Sequence, residues 1–329
     1  MTVLDRVARR RMAPSYDRGE GHFPATGWPQ ALRHRSVSVW HMDEWQQLSA
    51  RASFASHRLI GWIYWDPSAI ERYTNLGIEG GLGYYIASRG APLAPAGPEA
   101  VAAAFYSISP DFIAFSLGLA EAATSWEAVT DARDAAVGEG LRRFVPEICE
   151  QLAGMGEALW MAADALPSSG RVLFAAHRAW PRSSDPLVSA WLAVNCIREW
   201  RGDTHFAVLA AEGVSGVQGG ILHNAMLNYP EQWIPRSRGA DDALLAEAFE
   251  DLEARGLAKD GLVNAAGHEL RERIEARTNE LCQRAWRFLG AEQTTAFVEL
   301  VEPVGDRLVA RIDETAGPEW MPAARLRRA

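Results

Sequence analysis

The 329-residue chain contains one lysine, three cysteines and no apolar run near the roughly 18 residues that a membrane helix needs. Each shortage excludes a class of chemistry. Of the 33 basic residues, only Lys259 is a lysine, and the other 32 are arginine. A pyridoxal-phosphate enzyme needs a Schiff-base lysine, and a P-loop needs one on the phosphates. Lys259 lies in the polar turn Ala258-Lys259-Asp260-Gly261, where a hydrated amine is a poor nucleophile. Neither pyridoxal phosphate nor a P-loop nucleotide is expected. Cys149, Cys196 and Cys282 are odd in number and far apart, which gives no disulfide framework and fits a reducing cytoplasm. The chain also lacks His-Glu-x-x-His and paired-cysteine zinc patterns, and His34 and His41 stand alone, so no metal is expected. Gly81-x-Gly83 has no third glycine at the dinucleotide spacing. Residues 1–14 are arginine-rich without an apolar stretch, so no signal peptide is expected.

What remains is ordinary globular composition, 48% hydrophobic and 23% charged, with length for about two domains. A net charge of −9 argues against a surface built for polyanions. Arginine nevertheless gathers at the ends. Residues 1–38 carry seven arginines against Asp5, Asp17 and Glu20, and Arg325, Arg327 and Arg328 close the chain. These segments read either as solvated tails or as basic arms for nucleic acid or a partner.

Apolar residues then recur at helical spacing from Trp45 through Leu48, Ala52, Ala55, Leu59 and Trp62. Asp66-Pro67, Pro98 and Ser109-Pro110 are helix starts, and 111–165 is rich in helix formers. Loops at 167–170 and 181–186 place a domain boundary near 166. Beyond it, a helix over 187–200 is expected to break at Gly202. Asp203 would then cap a second helix over 204–212, followed by a turn and a helix over 217–226. Asp241 or Asp242 starts another helix, and Leu257 to Val263 reads as two short strands around an Asp260-Gly261 turn. Asn264 caps the long helix after it. Helix, tight hairpin, helix is the order of a winged helix.

The stretches LEARGL at 252–257 and DGLVNAAG at 260–267 resemble the wing of MarR-type winged-helix proteins, with Asn264 in place of a usual threonine. GYYIASRGAPL at 83–93, FYSISP at 105–110 and REWRGDTH at 198–205 are similar to an actinobacterial family of helix-turn-helix character, over about residues 55–305. Trp200 stands where that family has histidine, and Ser107 where it has asparagine. The resemblance implies a fold more firmly than an activity. The expected fold is mainly α: a basic arm over 1–38, a helical domain over 39–166 packed on a winged-helix-like domain over 167–305 with a small β-hairpin wing, and a tail over 306–329. The long terminal helices fit a homodimer by analogy.

Charge at the wing bears on DNA. The helix before it carries Asp241, Asp242, Glu247, Glu250, Asp251 and Glu253 against Arg255 alone. Groove-entering helices present donors and positive charge. The helix over 217–226 offers only Gln218, His223 and Asn224. Duplex recognition is therefore expected to be weak or lost, although the basic arms could supply affinity.

The densest polar cluster is Arg198, Glu199, Arg201, Asp203 and His205. It reads either as an anion clamp (Arg198, Arg201) beside an acid–base pair in which Asp203 orients His205, or as a helix-end ion network. His57, followed by Trp62, Tyr64 and Trp65, is either a hydrogen-bonded core histidine or a base, or an axial ligand to a flat cofactor such as haem. Thirteen tryptophans can line a pocket for a planar ligand or simply fill a core. Arg89 and Tyr106 lie in the family-like stretches as candidate donors. The leading expectation is a small-molecule enzyme, biosynthetic in character, with an aromatic-lined pocket between the two halves. His57, Asp203, His205 and Tyr106 would be catalytic, and Arg89, Arg198, Arg201, Trp62 and Tyr64 would bind substrate. The alternative is a MarR-like, ligand-responsive DNA-binding regulator.

Overall fold

The computed structural model describes residues 42–325. The arm over 1–38, His34, His41, Arg327 and Arg328 lie outside the described residues. Among those described, the helices in chain order are α1 Met42–Gly61, α2 Pro67–Thr74, α3 Tyr84–Gly90, α4 Pro98–Phe105, α5 Pro110–Ala123, α6 Trp126–Phe144, α7 Pro146–Gly154 and α8 Gly156–Asp164. They continue with α9 Val172–Ala179, α10 Pro186–Ala211, α11 Gly216–Leu227, α12 Trp233–Ser237, α13 Asp242–Ala254, α14 Ala265–Leu289 and α15 Ala291–Thr315. Strands β1 Ala258–Lys259 and β2 Leu262–Val263 pair antiparallel, Ala258 opposite Val263, and are the whole sheet among the described residues. The protein is mainly α with a small β wing.

Local chemistry explains most boundaries. The Asp66 carboxylate accepts the Ser68 and Ala69 amides ahead of Pro67, satisfying donors that the first turn of a helix leaves free. Asp241 and Asn264 do the same for α13 and α14. Ser215 and Gln218 form a reciprocal capping box on α11. In the hairpin, Asp260 and Gly261 both have positive φ, 52° and 73°, as a two-residue turn of this hand requires.

Helix α10 is the axis of the protein. It packs on α1, α6, α7, α8, α9 and α14. Its Trp191 donates an indole N–H to the Leu59 carbonyl at 3.0 Å, tying it to α1. Trp286 of α14 likewise donates to Ser53 Oγ at 3.1 Å. Buried indoles thus contribute their area and still satisfy their one donor. These contacts span the boundary expected near 166, and the described residues fall within one compact unit.

Two expectations are corrected. The helix does not break at Gly202: α10 runs unbroken from Pro186 to Ala211, with Gly202 inside it. Residues 306–315, expected in a tail, continue α15, which packs along α1 through Arg51–Glu302 and Arg58–Asp306 ion pairs.

Candidate functional site

A cavity of about 650 Å³ opens among α1, α3, α10, α11, α14 and the segment after α15, with lining from both sides of residue 166. Pockets of 300–1,000 Å³ are the usual size for small ligands. One wall is aromatic. Trp65 stacks on Tyr85 at 5.6 Å, Trp320 leans on Trp65 at 5.5 Å, and Trp233 meets Trp320 edge-on at 4.9 Å. The rest of the lining is strongly basic and meets the aromatic wall directly, since Arg89 donates to the Tyr85 hydroxyl at 2.9 Å. Six arginines and three histidines line the cavity, against Glu275 as the one lining carboxylate among the described residues.

Continuity through Gly202 lets α10 carry Asn195, Arg198, Glu199 and Gly202 along one stripe, with His205 a turn further on. Glu199 is fully buried and shared. It accepts from Arg89 Nε at 2.9 Å and Nη2 at 2.7 Å, and also from Arg198. Burial alone would raise the Glu199 carboxyl, but the Arg198 and Arg89 guanidiniums outweigh it and hold it far below the usual carboxylate range. Arg198 also donates to Asn195 Oδ1, and the Asn195 amide donates to His177 Nδ1 at 3.3 Å. His177 Nε2–H donates to the Arg89 carbonyl at 2.9 Å, which closes the ring of bonds. Burial depresses His177 to about 4, so it stays neutral.

A second shared carboxylate lies on α14. Glu275 accepts from Arg201 and from Arg271, the latter at 3.0 Å, and Arg201 also donates to Asn279 at 2.9 Å. Arg198 and Arg201 are therefore not a free pair awaiting an anion, since each is held by a carboxylate.

His205 is oriented by a different residue from the one expected. The Asp203 carboxylate turns away and accepts the Phe174 amide at 2.9 Å, serving the first turn of α9. His205 Nδ1 instead meets Thr278 Oγ1 at 3.0 Å. The Thr278 hydroxyl donates its only proton to the Ile274 carbonyl at 2.8 Å, so toward the imidazole it can only accept. Nδ1 therefore carries the proton, and Nε2 is left bare in a side chain that lines the cavity. Burial, then Arg271, lowers His205 to about 3. His57 and His223 also line the cavity and are depressed by burial and neighbouring arginines, and His57 Nδ1 is buried with no partner among the described residues.

The remaining candidates divide. Tyr64 lines the cavity. Trp62 does not: its indole is buried, donates to the Leu59 carbonyl at 3.1 Å and packs edge-on to Phe144. Tyr106, expected as a donor to substrate, gives its hydroxyl to the Val214 carbonyl at 2.5 Å and stacks on Phe206. Its backbone is held at φ 59°, ψ −52°, and this strained turn puts Ser107 on the cavity wall.

Sequence reasoning missed Arg238, Arg271, Glu275 and Thr278. Three of them carry a visible signal, polar side chains at i, i+4 and i+7 along α14 on the buried side of an amphipathic helix. Arg238, at the end of α12, carries none.

The profile of a family described as helix-turn-helix matches residues 49–315. The chain belongs to that helix-turn-helix family. The match takes in α2 to α15 and most of α1, so it covers every helix that walls the cavity. No curated protein and no solved structure matches the chain.

Proposed function

We propose that this helix-turn-helix protein works on a small molecule held in the cavity, by acid–base chemistry at His205 Nε2, on a frame that no longer docks on a duplex. The observation that carries this is the tautomer fixed by Thr278, which leaves Nε2 unprotonated in a side chain lining a 650 Å³ space among arginines. Burial and Arg271 keep the imidazole neutral and hold its basicity low while the cavity has no anion in it. A bound anion beside those guanidiniums offsets their field and lifts the basicity of the ring. Thr278 acts as a positioning residue for the tautomer.

The duplex side is disfavoured by charge. Asp242, Glu247, Glu250, Asp251 and Glu253 are all exposed on and around α13, the helix that enters the wing. Arg255 is committed to the carbonyls of Glu212 and Gly213. Five carboxylates facing phosphates repel them.

Fluorescence anisotropy with a labelled random duplex, at about 50 mM and about 200 mM salt, tests the second half. Weak, nearly flat binding is expected. Tight binding that collapses with salt would return the protein to the second reading, a ligand-responsive regulator, which family membership favours. For the first half, a metabolite extract incubated with protein and read by mass spectrometry is expected to show a compound consumed by wild type and spared by His205→Gln. Identical profiles with both proteins would count against His205 chemistry.

A further inference from the structure

Among the described residues, Arg238 is the one arginine of the cavity lining without a carboxylate partner. Arg89 and Arg198 share Glu199, Arg201 and Arg271 share Glu275, and Arg325 pairs with Asp313 at 2.6 Å. Arg238 makes one side-chain bond, Nη1 to Ser107 Oγ at 3.0 Å, and no carboxylate pairs with it among the described residues. The charged groups around it are Arg89 and Arg271, with the Tyr85 phenol beside them. A half-buried guanidinium among like charges is held at a cost that an anion would relieve.

Ser107 sharpens the geometry. Its oxygen accepts the Arg238 N–H, so its own proton remains to be donated into the cavity that both residues line. A guanidinium fork and a hydroxyl side by side are the donors that a carboxylate or phosphate oxygen pair takes. The aromatic lining, Trp65, Tyr85, Trp233 and Trp320, supplies apolar ring surface nearby, with Tyr85 next to Arg238 and Trp233 five residues from it in the chain.

We propose that the cavity takes a planar aromatic molecule bearing an oxyanion. The anion sits on Arg238 and Ser107, and the ring lies against Trp65, Tyr85, Trp233 and Trp320. This rests on the small-molecule reading of the cavity and names the class of molecule. It also assigns the strained turn at Tyr106 a purpose, because that turn brings Ser107 to Arg238.

Calorimetric titration of the full chain with 2-naphthoate, with its neutral isostere naphthalene-2-carboxamide and with 2-naphthyl phosphate tests the assignment. One of the two anions is expected to bind at least about thirtyfold more tightly than the carboxamide, the loss typical of breaking a buried charged contact. Whichever anion binds more tightly identifies the headgroup as carboxylate or phosphate. Arg238→Met is expected to abolish the preference for the anion. It is also expected to raise the melting temperature of the ligand-free protein, because it removes an unpaired cation while keeping volume. Equal affinity for all three probes would overturn the anion site and leave a small-molecule cavity standing. Absence of binding by both anions, a preference that survives in Arg238→Met, or a melting temperature that falls in that variant would each overturn it too. Salt-steep duplex binding, by contrast, would fail the function proposed above without touching this site.

Discussion

At the scale of single residues, the cavity wall is an exercise in sharing carboxylates. Glu199 serves Arg89 and Arg198 from a position with no exposure, and neither cation pairs with another carboxylate among the described residues. Removing the charge leaves two buried guanidiniums uncompensated. Glu199→Gln is accordingly expected to destabilise the protein by about 3–5 kcal/mol in urea unfolding, the cost typical of breaking a buried pair from one side. A loss under about 1 kcal/mol would mean that solvent from the cavity compensates the pair. The cluster from Arg198 to His205 was legible in the sequence, but its internal wiring was not. Asp203 and His205 are two apart, and on a continuous helix residues i and i+2 do not face each other. The true partners, Thr278 for His205 and Glu275 for Arg201, lie more than seventy positions away, at 73 and 74. No local pattern reports such pairings.

At the scale of elements, the caps and the wing were readable because their chemistry is local. Asp66-Pro67, Asn264 and the Asp260-Gly261 turn each act within four residues. The expected break at Gly202 failed for the opposite reason. Glycine lowers helix propensity by only about 1 kcal/mol, and the packing of α10 on six other helices overrides that. A Cβ at Gly202 would meet Glu199 Oε2 at 3.7 Å and Arg89 Nη2 at 3.9 Å, both ordinary contacts. Gly202→Ala is therefore expected to be neutral or stabilising by up to about 1 kcal/mol in thermal unfolding. A hinge at this position would instead make it destabilising. Gly216, at the start of α11, is a different case. A Cβ there would lie 2.3 Å from the Tyr106 carbonyl oxygen and 2.9 Å from Ser107 Cα, both backbone atoms. Gly216→Ala must displace the turn that presents Ser107. It should cost about 1–3 kcal/mol and weaken binding of an anionic probe in the same titration. Unchanged stability and binding would show that the turn yields freely.

At the scale of the whole molecule, the arginine-rich cavity sets how folding responds to acid. Burial and neighbouring guanidiniums depress His57, His177, His205 and His223, with His177 near 4 and His205 near 3. An unfolded histidine titrates near 6.5. As pH falls below about 6.5, the unfolded chain binds protons that the native protein refuses. The stability contributed by these neutral histidines is complete above that pH and is lost progressively toward 4 and below. Asp203 works in the opposite sense. Burial raises it to about 7, so the native state holds a proton there that the unfolded chain releases, which favours the fold as pH drops. Asp134, also raised by burial, adds to that opposing effect. Four histidines outweigh these two carboxyls, and each surplus proton on the unfolded side is worth about 1.4 kcal/mol per pH unit. The urea midpoint is therefore expected to fall clearly between about pH 7 and about pH 5, with the linear dependence on urea retained. The same measurement with a saturating aromatic anion should show a shallower fall. An anion on the basic wall lets the native histidines accept protons earlier, and so narrows the difference between the two states. A midpoint that is level across this range, or that rises on acidification, would mean that the cavity is wet enough to let its histidines titrate as free imidazoles do.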